Sequence, residues 1–334
     1  MMRTAFFSMV IILAICGCER GAPAGGTVNP GAAQTTGRPA HPDQLYIEVS
    51  AVGGSEYWAE HKLGLKLAGE ALGVRTEYLG PADYDLEAMA TALEQAIARR
   101  PQGLLVAGFE PLLEPIINKA VDAGIPVVTV DADLPASKRL AFVGTGNYQA
   151  GIESGKLMAT CLGGKGKIAV TTMPGAPNLQ DRVRGVRDAV AAYPQIEIVQ
   201  VLDTRGDTIT ITQACVALLQ KYPDLSGIVS VEAIGGVGAA TATREAGKVG
   251  KIKIVAMDRS NDVLQGIKDG LIEATLVQQT ALMPLYGLQI LYNLNNVPIP
   301  ISKDNKKAGV SGAPILIDTS VVVVDRRNCE LFMR

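Results

Sequence analysis

Carboxylates and amides recur in this chain at one kind of place, directly after short apolar runs rich in Val and Ile. Residues 127–130 run into Asp131-Ala132-Asp133, 228–231 into Glu232, 254–257 into Asp258-Arg259, and 274–277 into Gln278-Gln279. Tyr57 and Trp58 follow another such run after Gly53-Gly54-Ser55, and Arg182 opens the helical pattern after residues 167–172. Carboxylates accept hydrogen bonds from hydroxyls, a guanidinium donates to them, and a primary amide does both. Flat aromatic rings cover the apolar C–H face of a sugar-like ring. Together these residue types suit a neutral, hydroxyl-rich small molecule.

Each residue also has a structural alternative. An Asp after a strand often caps the next helix, which applies to Asp131 and Asp258. Glu232 fits a solvated turn, and Gln278 fits a loop in which it satisfies backbone groups. Tyr57 and Trp58 lie on an amphipathic helical pattern and fit a core. Arg182 and Arg184 are two residues apart, so at most one of them faces a common site. The convergence of several strand ends, not any single residue, favours a site.

Something must bring these positions together. Strand patterns at 45–51, 74–79, 103–107, 126–130, 167–172, 196–201, 227–231, 252–257 and 273–277 alternate with helical patterns at 57–72, 86–99, 112–123, 148–162, 179–192, 209–221, 236–246, 262–268 and 283–294. Such alternation predicts parallel sheets covered on both faces, and unbroken apolar runs such as 127–130 fit strands buried on both sides. About ten strands divide more naturally into two sheets than one. The expected fold is therefore α/β, with two doubly wound parallel-sheet lobes joined by a multi-crossing hinge. In such sheets ligands bind beyond the carboxyl ends of the strands, where the polar residues lie. Candidate crossings are Gly144-Thr145-Gly146-Asn147, the stretch after Gln278, and a polar, glycine-containing stretch between Lys306 and Pro314.

The ends of the chain read differently. Arg3 precedes an apolar run over 5–15, followed by Cys16-Gly17-Cys18. A basic start, a short apolar stretch and small residues predict a secretory signal over 1–17; the run is shorter than the roughly 20 residues a spanning helix needs. Ile15-Cys16-Gly17-Cys18 resembles a bacterial lipobox with Cys18 as the lipidated residue; a plain cleaved signal is the alternative. Gly, Pro, Ala and Thr dominate the stretch that follows, so 18–43 reads as the lipidated Cys and a flexible tether. The expected division is then 44–145 plus about 279–310 for an N-terminal lobe, 146–278 plus about 311–325 for a C-terminal lobe, and 326–334 as a tail.

Composition excludes several functions. The 334 residues carry a formal net charge of -2 and only 4% aromatics, against a basic nucleic-acid face or a stacking platform. Gly163-Gly164-Lys165-Gly166-Lys167 lacks the Ser/Thr of a phosphate loop and precedes a strand. Gly235-Gly236-Val237-Gly238 has Thr241 where a dinucleotide motif has its third glycine. The two histidines, His41 and His61, have no partner at metal-ligand spacing. No catalytic residues, metal or cofactor are therefore expected. Cys161, Cys215 and Cys329 leave a disulfide or buried thiols equally open.

The same residues carry a family resemblance over 45–294. GIPVVTVDAD, QDRVRGVRDAV and IVAMDRSNDVLQGIKDGLIEATLVQQ resemble segments of the type I periplasmic sugar-binding proteins, the ribose-binding group of ABC-importer receptors. The resemblance implies ligand roles for Asp131, Arg182, Asp258 and Gln278, and matches Tyr57 and Trp58 to the aromatic pair that flanks the sugar ring. It also implies that Tyr57, Trp58 and Asp131 lie on the N-terminal lobe, Arg182, Glu232 and Asp258 on the C-terminal lobe, and Gln278 near the hinge. Two segments depart from it: Glu232-Ala233 stands where the family has an Asn-Asp pair, and GGSEYW replaces an Asn-aromatic loop. Glu232 beside Asp131 and Asp258 would favour a polyol, an aldose rich in donors, or a ligand with a positive group. The implied function is an exported, lipid-anchored, monomeric receptor in the periplasm or on the outer face of the cell membrane, which delivers a sugar or polyol to an ABC permease. The alternatives are a receptor feeding a sensor kinase or chemoreceptor and, less favoured, an exported carbohydrate-active enzyme.

Overall fold

The computed structural model describes residues 40–54 and 56–333. The expected signal, the lipidation site Cys18 and almost all of the expected tether lie outside the described residues.

Two six-stranded sheets form the frame. The first has the order β11-β5-β4-β3-β1-β2, built from β1 (Leu45–Val49), β2 (Arg75–Leu79), β3 (Gly103–Ala107), β4 (Val127–Val130), β5 (Ala141–Gly144) and β11 (Leu316–Asp318). The second has the order β12-β10-β9-β8-β6-β7, built from β6 (Lys165–Thr172), β7 (Gln195–Asp203), β8 (Leu225–Ser230), β9 (Lys253–Met257), β10 (Ala274–Gln278) and β12 (Val321–Asp325). Every pairing is parallel except that of β10 with β12. Parallel sheets need covering on both faces. Here the apolar faces of the first sheet bury Ile47, Val49 and Met89 on one side and Tyr46, Leu105 and Leu291 on the other. The second sheet is packed likewise around Ile211, Ile228 and Ile254, and around Ile168, Val229 and Val255. The expected pair of doubly wound lobes is what the chain forms.

The helices are α1 (Glu56–Leu72), α2 (Leu86–Ala98), α3 (Glu114–Asp122), α4 (Asn147–Cys161), α5 (Pro177–Ala191), α6 (Thr208–Lys221), α7 (Gly235–Glu245), α8 (Asn261–Lys268) and α9 (Leu282–Asn296). All nine expected helical patterns correspond to one of these. Asp85, Asp207 and Ser260 cap α2, α6 and α8 by accepting from backbone N–H groups in the first turn. The strand pattern was less complete. β5 has four residues and follows β4 without a helix between them, and β11 has only three, so neither shows the strand–helix alternation. Cys161, Cys215 and Cys329 are free thiols.

The chain passes between the sheets from β5 to α4, from β10 to α9, and from β11 to β12. α4 packs against α5, and α9 packs against α1, so the two crossing helices complete opposite lobes. The third crossing expected between Lys306 and Pro314 falls instead at Thr319-Ser320. Residues 316–318 pair with Phe142–Gly144 of the first sheet, so the stretch expected to belong wholly to the C-terminal lobe is split. The cause is local. The Asp318 carboxylate accepts from the N–H groups of Gly146 and Ser320, each at 2.7 Å, while Thr319 N–H donates to Gly144 O at 2.8 Å. Gln279 Nε2 donates to Thr319 O at 2.7 Å. These bonds lace all three crossings into one hinge.

Candidate functional site

The residues that the sequence singled out sit where the carboxyl ends of the two sets of strands approach one another. Asp131 directly follows β4 and Asp258 directly follows β9, and each of these residues has left-handed backbone, with φ of 66° and 64°. Asp and Asn tolerate this conformation better than other side-chain-bearing residues. Each turn is pinned to the neighbouring strand: Asp131 N–H donates to Val143 O at 3.2 Å, and Asp258 N–H donates to Leu276 O at 2.8 Å. Neither aspartate caps a helix. No helix follows β4 before β5, and Ser260 takes the cap of α8.

On the second lobe, Arg182 is the centre of a buried polar network. Its Nε donates to Asn147 Oδ1 at 2.8 Å, Nη1 to Val231 O at 3.0 Å, and Nη2 to Gln278 Oε1 at 2.9 Å. Gln278 passes the connection on, with Nε2 donating to Asp258 Oδ1 at 2.8 Å. Arg182 is only 3% exposed. The fork of a guanidinium suits such a divided task. The helix carrying Arg182 is held close: a Cβ on Gly151 of α4 would lie 2.1 Å from Arg182 O, so only glycine permits this approach. Of the two arginines considered, Arg182 faces the site; Arg184 lies over the Tyr148 ring and pairs with Asp181.

On the first lobe, the Tyr57 hydroxyl donates to Asp131 Oδ1. Burial and the nearby carboxylates of Asp131 and Asp258 hold the Tyr57 phenol well above its ordinary value, so it stays a neutral donor. Asp258 is raised as well, chiefly by burial, against the opposing pull of Arg182 and the Gln278 amide. A narrow crevice of about 10 Å³ is lined by Tyr57, Glu60, Asp258, Arg259, Val277, Gln278 and Thr280, residues of both lobes and of the second crossing. An open small-molecule pocket is roughly 300 Å³ or more, so admission of a ligand here requires the lobes to part.

Two expected site residues are placed differently. Trp58 is 4% exposed and packs in the core with Met89 and Leu93. Its ring contacts Tyr57 edge-on at 5.4 Å and His61 at 4.5 Å, so it backs Tyr57. The helical spacing puts adjacent residues on different faces, which is why only Tyr57 of the pair is turned to the site. Glu232 is buried but engaged locally. It accepts from Thr171 Oγ1 at 3.3 Å, Ser230 Oγ at 3.2 Å and Ile234 N–H at 2.8 Å. Burial raises its carboxyl, and those donors oppose the shift. Glu232 thus shapes the turn into α7.

Other functional candidates escaped the sequence. Asn147, which the sequence marks only as part of a crossing, fixes Arg182. Glu60 and Arg259 form an ion pair in the crevice, and Thr280 Oγ1 donates to Glu60 Oε2 at 2.8 Å. Glu60 lies three residues after Tyr57 on the same helix face, a spacing that could have flagged it.

Comparisons with known proteins agree on one group. Residues 49–296 match the model of the "periplasmic binding protein domain" family. A sugar-binding protein of a sugar ABC transporter from Bacillus halodurans superposes with a TM-score of 0.82 at 36% identity, covering 87% of this chain and 100% of that one. AraP, an arabinose-binding protein from Geobacillus stearothermophilus, superposes with a TM-score of 0.80 at 38% identity, covering 88% and 100%. The D-ribose/D-allose-binding protein of Pseudomonas aeruginosa is 26% identical over 276 residues, 80% of this chain and 83% of that protein.

Proposed function

The chain belongs to the periplasmic binding protein family, and on that premise we propose that it captures a small sugar or polyol between its lobes and delivers it to an ABC permease. The observation that carries this reading is the meeting of two lobes' strand ends in one polar crevice. Tyr57, which donates to Asp131, lines it from one lobe, and Asp258 lines it from the other, joined through Gln278 at the end of β10 to Arg182 behind. The names of the relatives support the ligand class: D-ribose or D-allose for one and arabinose for another.

In the mechanism, an open cleft admits the ligand to one lobe, and hinge bending brings the other lobe onto it. Carboxylates of Asp131 and Asp258 accept from ligand hydroxyls. Tyr57 covers the ring and donates. Arg182 keeps Gln278 and Asp258 in place, and closure strengthens these bonds by excluding water. Each charge-assisted hydrogen bond is worth about 1.5–3 kcal/mol net, so four or five reach micromolar affinity, about 8 kcal/mol, plus ordering costs only toward the upper end of that range. Trp58 acts here as the support of Tyr57, and Glu232 as the support of the second lobe's binding turns.

The family's members bind solutes outside the cytoplasm, and we place this chain there, held at a membrane by a lipid on Cys18, working as a monomer and without catalysis. A thermal-shift screen of sugars, polyols and nucleosides tests the ligand class, because a ligand that binds only the folded state raises its melting temperature. Stabilisation by a pentose, hexose or polyol supports the reading; stabilisation by nucleosides alone contradicts it. Metabolic labelling with a fatty acid, compared between the wild type and Cys18→Ala, tests the anchor.

A further inference from the structure

Glu60 and Arg259 come from opposite lobes. Glu60 lies on α1, one turn beyond Tyr57, while Arg259 directly follows Asp258 at the end of β9. Their side chains form an ion pair at the crevice, 14% and 16% exposed. A third group fixes the carboxylate from the hinge side: Thr280, between β10 and α9, donates from Oγ1 to Glu60 Oε2 at 2.8 Å. The pair therefore ties the first lobe, the second lobe and the crossing between β10 and α9 together at one point.

We propose that Glu60 and Arg259 are an affinity-setting latch, a direct bond between the lobes that holds the closed form and so positions the ligand-binding groups. The proposal rests on the sugar-capture reading and adds the term that ligand contacts alone do not supply. Opening the cleft separates α1 from the β9 end, so the pair exists only in the closed form. Its low exposure shields it from water and salt, unlike a freely exposed pair. Apparent affinity scales with the fraction of molecules in the binding-competent arrangement. A closed form stabilised by the latch orders the lobes in advance, and its loss weakens ligand binding by about tenfold, within the usual range for coupled sites.

The alignment of charges also explains the choice of residues. Glu60 adds a carboxylate to a crevice already lined by Asp258, and Arg259 offsets it from the other lobe. A charge swap preserves the attraction, whereas neutralising either residue removes it. Arg259→Lys keeps a charge of the same sign, with a shorter reach and no fork.

Small-angle scattering of the full chain, with no sugar added, tests the latch apart from any ligand. The comparison is between the wild type, Glu60→Gln, Arg259→Gln, Arg259→Lys and the double swap Glu60→Arg with Arg259→Glu, each checked for native circular dichroism. The expected result is a larger radius of gyration for both Gln variants, with the wild-type value retained in Arg259→Lys or restored in the swap. One radius shared by all folded variants overturns the latch. That outcome leaves the sugar-capture reading standing, because the thermal-shift screen tests it independently.

Discussion

Asp131 and Asp258 occupy equivalent places in the two lobes. Each follows the strand third from the same end of its sheet, β4 in β11-β5-β4-β3-β1-β2 and β9 in β12-β10-β9-β8-β6-β7. Each has left-handed φ, and each N–H bonds to the neighbouring strand, β5 or β10. One device, used twice, presents a carboxylate at a strand end of each lobe: Asp258 lines the crevice, and Asp131 accepts from Tyr57, which lines it from the other side.

That shared backbone separates two effects of substitution. Asp258→Ala removes the carboxylate and places a residue poorly suited to φ near 64° in the turn. Asp258→Asn removes the charge but keeps a residue that tolerates it. Both should weaken ligand binding at least about tenfold, the loss of one charge-assisted bond. Asp258→Ala should lose about 1 kcal/mol more folding stability than Asp258→Asn. Urea unfolding of both variants, paired with calorimetry, checks the difference.

Arg182 divides its donors among three acceptors, which lysine cannot do. Arg182→Lys should leave Gln278 or Val231 O without its partner and cost about 2–4 kcal/mol of stability, because the site is buried. Binding should fall by more than tenfold as Gln278 and Asp258 lose their alignment. Chemical denaturation and titration calorimetry on the same sample read both losses.

The raised carboxyls predict a pH dependence. Burial lifts Asp258 and Glu232 above their ordinary values. A carboxyl raised in the folded state binds more protons there than in the unfolded chain, so its contribution is present below the unfolded value and is lost as pH rises through the folded one. Asp258→Asn lacks this loss. Its unfolding midpoint should therefore gain on that of the wild type as pH rises from about 4 to 7. A constant difference between the two across that range would refute the assignment.

Tyr57→Phe removes the hydroxyl that donates to Asp131 and keeps the ring. The affinity for the bound sugar should drop several-fold while the edge-on contact with Trp58 persists. The chain has a single tryptophan, so its fluorescence reports on this packing directly. An unchanged affinity would remove Tyr57 from the site.

Much of this arrangement was legible in the sequence because doubly wound sheets make position along a strand predict position in space. Asp258 and Gln278 end apolar runs and line the crevice, and Asp131, after another such run, accepts from the crevice-lining Tyr57. The short strand β5 was illegible because nothing helical separates it from β4, and β11 because three residues carry no period. Trp58 packs in the core for a reason that the sequence does not show. Its neighbour Tyr57 has the same chemistry, and only the phase of α1 decides which ring faces the site. Glu232 is expected to accept from a ligand, and in the structure Thr171, Ser230 and Ile234 N–H already donate to it. Such local satisfaction does not show in a single sequence.

Titration calorimetry with the sugar or polyol that gives the largest thermal shift is the most direct test of the whole account. Wild-type protein should bind one ligand per chain at micromolar affinity or better, and Asp131→Asn and Asp258→Asn, from opposite lobes, should each weaken binding by about tenfold or more. Full affinity in both single variants would mean that the crevice between the lobes is not where the ligand sits.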